Sequence, residues 1–79
     1  MNDQDIISEL AEILEMDANL LLHGTELIAI DTWDSLATIM FIAMVDEKMG
    51  HVLSGDDLQN SKTIGDLISL AKAGIQGSI

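Results

Sequence analysis

Apolar residues recur at helical spacing near the beginning of the chain. The segment 3–15 places five of them on one side of a helix at about 100° per residue: Ile6, Ile7, Leu10, Ile13 and Leu14. Glutamates fall on the opposite side, and Asn2 or Asp3 can cap the start because its side chain accepts a hydrogen bond from a free backbone N–H group. This pattern predicts a first amphipathic helix over residues 3–15.

The following segment, residues 16–33, shows no sustained period. Its apolar residues are bunched rather than spaced: Leu20, Leu21, Leu22, Leu27 and Ile28. Gly24 and Thr25 interrupt them, so we expect a long loop with room for one helical turn, whose leucines pack into the core. His23 lies in this loop without a second candidate ligand nearby, and we expect it at the surface rather than in a metal site.

A second helix is expected to begin at Asp34 or Ser35, both good N-caps, and to end near Met49, with Gly50 as its C-cap. On a helical wheel its predicted core face carries Ile39, Ile42, Val45 and Met49, flanked by Leu36 and Phe41. The opposite face carries Ala37, Met40 and Met44, with Glu47 nearby. Because a small bundle cannot easily surround a helix, we interpret this second face as an apolar patch that docks a partner protein. The plainer alternative is a helix buried on most sides.

Two further helices are predicted in the C-terminal part of the chain. Ser54 with Asp57 three residues later resembles a weak capping box, which favours a short third helix. Thr63 can cap a last helix that ends at Gly74, with 75–79 as a frayed tail, and its buried side carries Ile64, Leu67, Ile68 and Ala71. We therefore expect one all-α domain over 1–79, with its core in 3–74. We expect a small four-helix bundle with three main helices, one short helix and a long loop between helices one and two.

Charge and composition limit the classes of molecule that the protein is expected to bind. The formal net charge is -11, from 14 acidic residues against three lysines. Such a chain repels nucleic acid and anionic membranes and favours basic protein surfaces, although acidity that serves only solubility is the plainer alternative. The absence of cysteine excludes disulfides and suits a reducing compartment. Neither a signal peptide nor a membrane-inserting segment is expected, so we predict a soluble, cytoplasmic monomer.

Ser35 is the candidate chemical group of the chain. A serine at a helix N-terminus is exposed, and the neighbouring N–H groups and helix dipole favour a phosphate. On spacing alone, a plain N-cap role explains Ser35 equally well. A hydrolytic nucleophile needs a positioned base, and neither His23 nor His51, the two histidines, is near it in sequence. No G-x-S-x-G turn occurs, and we expect the protein not to be an enzyme.

Several motifs together resemble the acyl carrier protein family over nearly the whole chain. D-S-L at residues 34–36 opens a helix after a long loop, and that helix ends with E-K-M-G at 47–50. D-D-L at 56–58 precedes the capped T-I-G-D-L at 63–67. The triplet alone is common, but it gains weight from the length, the acidity, the helix order and the lack of cysteine.

The resemblance implies a function for Ser35. In such carriers this serine receives 4′-phosphopantetheine from coenzyme A through a phosphopantetheinyl transferase, and the terminal thiol of the arm holds an acyl group as a thioester. Client enzymes that load and transfer the acyl group perform the chemistry. Asp34 is then a cap, part of the transferase contact, or both, and Leu36 belongs to the core and to its rim. Candidate residues to line a shelter for the acyl chain between the helices are Leu36, Ile39, Ile42 and Ile64.

The chain also departs from the family pattern. Carriers that serve fatty-acid biosynthesis typically have acids in D-S-L-D-x-x-E, where this chain has Ala37 and Met40. Acids there meet basic patches on partner enzymes, so we expect a specialised acyl, aminoacyl, polyketide or polysaccharide-modifying pathway instead. Alternatives are an aminoacyl or peptidyl carrier of nonribosomal synthesis and an acidic helical adaptor without prosthetic group. Trp33 is expected to pack in the core or contact the arm, and His51 to be exposed or paired with acids.

Overall fold

Four helices form where the sequence pattern predicts them. In the computed structural model, which describes residues 2–76 and the side chains of 2–73, they are α1 (Asp3–Leu14), α2 (Ser35–Met49), α3 (Gly55–Gln59) and α4 (Ile64–Gln76). The described residues contain no strand, apart from a single bridge between Glu26 and Thr63. The prediction of a small all-α bundle with one short helix is confirmed. None of the helices within 2–76 has the length and apolarity that a bilayer crossing requires.

Local capping explains where the helices begin. The Asn2 side chain accepts a hydrogen bond from the Asp5 N–H at 2.9 Å, and the Asp5 carboxylate accepts one from the Asn2 N–H at 3.1 Å. This reciprocal pair satisfies two N–H groups that the first turn of a helix leaves without partners. At α3 a single bond serves as the cap, because the Ser54 hydroxyl accepts from the Asp57 N–H at 3.1 Å.

The end of α4 differs from the prediction. The helix continues through Gly74 to Gln76, whereas the sequence pattern ends it at Gly74. An internal glycine costs a helix only about 1 kcal/mol relative to alanine, so it weakens a helix without having to stop it. Residues 77–79 of the predicted frayed tail lie outside the described residues.

The long loop between α1 and α2 is attached to the start of α4 by backbone hydrogen bonds. The Gly65 N–H donates to the His23 carbonyl at 2.8 Å, and the Ile64 N–H donates to the Thr25 carbonyl at 2.9 Å. A Cβ atom at Gly65 would lie 3.0 Å from the His23 carbonyl oxygen, so glycine permits this close approach. The loop backbone is therefore held by α4, independently of most of its side chains.

The leucines of this loop are divided between the core and the surface. Two 3-10 turns, Ala18–Leu20 and Leu27–Ala29, shape the loop where one helical turn was expected. Leu21 and Leu27 are buried, but Leu20, Leu22 and Ile28 are exposed, Ile28 to 92%. The prediction that the leucines of this loop pack into the core is therefore wrong for Leu20 and Leu22. Neighbouring residues of a tight turn point in different directions, so bunched apolar residues cannot all face one core.

The core face of α2 is rotated by about a quarter turn from the predicted one. Its buried residues are Ala37, Phe41, Met44 and Val45, whereas Ile39 is 62% exposed and Ile42 and Met49 are half-buried. Only Val45 of the four predicted core residues is fully buried. Apolar residues surround the first three turns of α2, so the period of the sequence does not single out one side. Packing decides instead, since fully buried Phe41 meets half-buried Trp33 edge to face at 6.5 Å between ring centroids.

Candidate functional site

Ser35 is the first residue of α2 and its side chain is exposed. The preceding residue, Asp34, is the N-cap: its carboxylate accepts a hydrogen bond from the Ala37 N–H at 2.9 Å. The Thr38 hydroxyl donates to the Asp34 carbonyl, also at 2.9 Å. Among the described side chains, none makes a hydrogen bond with the Ser35 hydroxyl. Asp34 therefore caps the helix, and Ser35 Oγ is left accessible.

The backbone around Ser35 favours an anion attached to its hydroxyl. The first N–H groups of a helix have no partners within the helix, and the helix dipole adds partial positive charge at this end. The Asp34 carboxylate satisfies only the Ala37 N–H, which leaves the N–H groups of Ser35 and Leu36 directed out of the first turn. An exposed oxygen beside free N–H groups fits a phosphodiester, so the residues present suit the arm that the resemblance implies.

The surface of α2 next to Ser35 is apolar. Leu36 is 65% exposed, Ile39 is 62% exposed and Met40 is 44% exposed. Together with exposed Ala43 they follow the helical spacing i, i+3, i+4 and i+7, and we call these four residues the α2 stripe. The sequence pattern places Leu36 and Ile39 in or beside the core and assigns Ala43 to neither face, so Met40 is the one residue of this stripe that it predicts to face outward. Leu36 lies outside the core altogether.

The four predicted partner-binding residues fall into two groups. Met40 and Glu47 are exposed, as expected, but Ala37 and Met44 are buried, with 2% and 7% of their surface accessible. The predicted outward orientation of Ala37 and Met44 is therefore wrong. The core face of α2 is rotated by about a quarter turn from the predicted one, and this rotation buries both residues together with Phe41. An acid at position 37 would also be buried, so the departure from the family pattern that concerns the surface is Met40 alone.

The four residues predicted to line an acyl shelter do not come together in one pocket. Ile64 is fully buried and Ile42 is half-buried, while Leu36 and Ile39 are exposed on the α2 stripe. The prediction that these four residues line an acyl shelter inside the bundle is therefore wrong for Leu36 and Ile39. Their positions follow from the rotation of α2 described above.

Two clefts lie between α1 and α2, and one of them is lined by both neighbours of Ser35 in the chain, Asp34 and Leu36. One has a volume of about 320 Å³ and is lined by Glu12, Ile13, Glu15, Thr32, Asp34, Leu36, Ala37 and Met40. A second, of about 340 Å³, is lined by Glu9, Glu12, Ile13, Met40, Ala43, Met44, Glu47 and Lys48. Three residues, Glu12, Ile13 and Met40, belong to both. We call the two adjoining clefts the α1–α2 groove.

Neither histidine is placed as a base for Ser35. His51 follows the far end of α2, and a helix of 15 residues extends about 22 Å. The Nε2 atom of His23 lies 3.1 Å from the Asp3 carboxylate, in the first turn of α1. The opposite end of α1, around Glu12 and Glu15, lines the cleft beside Asp34. Within the described residues, no group of three or more histidine or acidic side chains is arranged to hold a metal ion.

Two ion pairs fasten α1 to other elements. Lys72 of α4 donates a hydrogen bond to Asp3 at 2.6 Å. This bond is the main reason why the pKa of the Asp3 carboxyl lies below its ordinary value, and the hydrogen bond with His23 is the second. Lys48 of α2 donates to Glu9 at 2.7 Å, which raises the pKa of the Lys48 ammonium. All of these groups are partly exposed, so each pair contributes modestly to stability.

Comparison with protein-family models, curated proteins and solved structures found no match for this chain. The acyl-carrier resemblance therefore rests on the motifs around residues 34–36, 47–50, 56–58 and 63–67. What the geometry adds is the accessible Ser35 hydroxyl at the start of α2.

Proposed function

We propose that this protein is an acyl carrier protein of the cytoplasm, which holds an acyl group as a thioester on a 4′-phosphopantetheine arm attached to Ser35. The observation that carries the proposal is the free Ser35 hydroxyl. It stands exposed at the first residue of α2, and Asp34 rather than Ser35 serves as the cap. A serine with only a capping role would direct its oxygen to a backbone N–H group of its own first turn.

The attachment step requires little of the carrier itself. Ser35 supplies the oxygen that forms the new bond to phosphorus, the nucleotide part of coenzyme A leaves, and the transferase takes the hydroxyl proton. The arm supplies the thiol that carries the acyl group. The free N–H groups at the start of α2 favour the phosphate beside Ser35, and the Asp34 cap keeps this turn of backbone in place.

The partners in this proposal are a phosphopantetheinyl transferase and enzymes that load and transfer acyl groups. The α2 stripe adjoins Ser35 and gives these enzymes an apolar contact surface. Met40 stands where carriers for fatty-acid biosynthesis have an acid, which favours partners that place an apolar rather than a basic side chain against this position. We therefore propose a specialised biosynthetic pathway rather than bulk fatty-acid synthesis.

Intact mass spectrometry tests the attachment. The purified chain is incubated with coenzyme A, magnesium and a broad-specificity transferase, and it should gain the mass of one phosphopantetheine. Ser35→Ala should lose the gain, whereas Ser8→Ala, at an exposed serine of α1, should keep it. An unmodified natural chain, or a gain that survives in Ser35→Ala, would overturn the proposal and favour an adaptor without prosthetic group.

Mass spectrometry also tests which group the arm carries. An aminoacyl or peptidyl carrier would use the same serine and the same arm, and would differ only in the group on the thiol. The mass of the loaded protein from its native cells should show an acyl group. An amino acid or peptide on the arm would replace the acyl proposal with this alternative and leave Ser35 as the attachment site.

A further inference from the structure

The α1–α2 groove begins beside Ser35 and follows α2 towards its other end. The cleft of about 320 Å³ is lined by Asp34 and Leu36, the two chain neighbours of Ser35, and extends to Met40. The cleft of about 340 Å³ continues from Met40 to Lys48. We call the first the near cleft and the second the far cleft. A group attached to Ser35 Oγ therefore starts at one end of the groove.

The arm that the carrier proposal attaches to Ser35 is long enough to reach the far cleft. Met44 lines that cleft and lies about two and a half helical turns after Ser35, which is about 14 Å along the helix axis. The main chain of 4′-phosphopantetheine has about as many bonds as five extended residues, so it spans about 17 Å. An arm that followed the groove would place its thiol, and the group on it, in the far cleft.

The groove suits the chemistry of the arm. Ile13 and Met40 line both clefts, and Ala43 and Met44 continue this apolar floor in the far cleft. Glu12 also lines both clefts, and its carboxylate can accept hydrogen bonds from the amide N–H groups of the arm. Because the arm has no charge beyond its phosphate, the acidic side chains of the groove do not repel it.

The charge and size of the far cleft limit the acyl group that it can hold. Glu9, Glu12 and Glu47 line it together with one lysine, Lys48, whose ammonium is bonded to Glu9 at 2.7 Å. A carboxylate on the cargo would therefore be repelled by Glu12 and Glu47, whereas an uncharged chain would contact the apolar floor. If a methylene group has about the volume of a water molecule, about 30 Å³, a six-carbon chain occupies on the order of 180 Å³. Such a chain fits the far cleft.

We propose that the α1–α2 groove is the resting site of the arm, and that its far cleft holds a short, uncharged acyl group. The inference rests on the proposed carrier function, to which it adds the location of the arm and the class of cargo. The site lies on the outside of the bundle, where Leu36 is exposed, and not around Ile64, which is fully buried. An acyl group that ends in a carboxylate would stay out of the groove.

NMR of two matched acyl forms tests the inference. The transferase loads the chain from hexanoyl- or adipoyl-coenzyme A, whose six-carbon acyl groups differ in a terminal carboxylate. Relative to the chain with the bare arm, the hexanoyl form should shift the methyl signals of Ile13 and Met44 and show NOEs from them to the acyl chain. The adipoyl form should shift them at most about a third as much, because its carboxylate is repelled. The methyl signals of Ile64 and Leu67, inside the bundle, should stay unchanged.

A matched pair of variants tests whether the far cleft covers the thioester. Ala43→Glu places a carboxylate in the floor of the far cleft, at an exposed position of α2. Ala29→Glu places the same group at an exposed loop position that lines neither cleft. Hydroxylamine should cleave the hexanoyl thioester about fivefold faster in Ala43→Glu than in the natural chain, because the acyl group loses its apolar contact. Ala29→Glu should leave the rate unchanged.

Intact mass separates failure of this inference from failure of the carrier proposal. If the chain gains the mass of the arm but the hexanoyl form shifts Ile64 and Leu67, or only the neighbours of Ser35, the groove is not the resting site and the carrier function stands. Equal cleavage rates in Ala43→Glu and Ala29→Glu would have the same meaning. Equal shifts in the hexanoyl and adipoyl forms would overturn the limit on the cargo. A chain that gains no mass would overturn the carrier function and this inference together.

Discussion

The first and second helices differ in how their apolar residues surround the helix axis. In α1, glutamates mark the side opposite the apolar residues, and four of the five predicted core residues are buried: Ile6, Ile7, Leu10 and Leu14. In α2, apolar residues occupy all sides of the first three turns, and the face that packs inward differs by about a quarter turn from the predicted one. A sequence period indicates a buried face only where polar residues define the opposite side.

The difference also has a functional meaning. Because α2 is apolar all round, burying one side leaves the α2 stripe exposed beside Ser35. An exposed apolar surface is costly in solubility and is usually retained for an interaction. The helix whose core face the pattern predicts poorly is therefore the helix that carries the candidate site.

The largest expected effect separates the two sides of α2. Phe41→Ala should lower the free energy of unfolding by about 3–5 kcal/mol, because Phe41 is fully buried. Ile39→Ala, at a residue 62% exposed, should change it by about 0.5 kcal/mol or less. Urea denaturation followed by circular dichroism measures both. A loss of similar size for Ile39→Ala would place the core face where the sequence pattern puts it.

A smaller effect concerns the two positions that depart from the family pattern. Ala37→Asp should lower the free energy of unfolding by about 2–3 kcal/mol, because the new carboxylate replaces a buried methyl group. Met40→Glu, on the exposed surface, should cost about 0.5 kcal/mol or less. The same denaturation experiment compares them. Equal stability of the two variants would mean that position 37 faces solvent.

The N-cap provides the next comparison. Asp34→Ala should lower the free energy of unfolding by about 1 kcal/mol, because the Ala37 N–H loses its acceptor. Ser35→Ala should change it by only about 0.5 kcal/mol or less, since the serine side chain bonds nothing in the described structure. Thermal melts of the two variants at pH 7 test this order. A larger loss for Ser35→Ala would identify Ser35 as the cap.

The smallest expected effect is a pH dependence from the end of α1. The pKa of Asp3 is lowered from its ordinary 3.8 by Lys72 and then by His23. The ionised Asp3 carboxylate therefore stabilises the fold fully when the pH is above its ordinary pKa of 3.8. This stabilisation is lost as the pH falls through the lower pKa that Asp3 has in the folded protein. Asp3→Asn should be less stable than the natural chain at pH 7, and the difference should shrink towards pH 2. Asp56→Asn, at an exposed acid, serves as the control. If the difference in stability between Asp3→Asn and the natural chain stays constant down to pH 2, the ionised Asp3 is not the source of the stabilisation.

The fold was predictable because its signals are local. Capping residues such as Asn2, Ser54 and Thr63 and the periodicity of α1 lie within a few residues of the elements that they determine. The position of Ser35 at the start of α2 depends on the same kind of signal. These features need no knowledge of distant parts of the chain.

The surfaces were less predictable, because they depend on contacts between distant segments. The orientation of α2 follows from packing around Phe41, and the exposure of Ile28 follows from the attachment of the loop to α4. The α1–α2 groove needs both helices in place, so no single stretch of sequence contains it. Glu12 and Glu47, which face one cleft, are far apart along the chain.

Asp34 and Ser35 have separate tasks at the beginning of α2. The hydrogen bonds that hold this turn use the carboxylate and carbonyl of Asp34, and none of them uses Ser35 Oγ. A bulky substituent on that oxygen would therefore leave the backbone as it is. An enzyme that discriminates between the substituted and the bare chain would have to recognise the substituent itself, because the bundle would present the same outline in both forms.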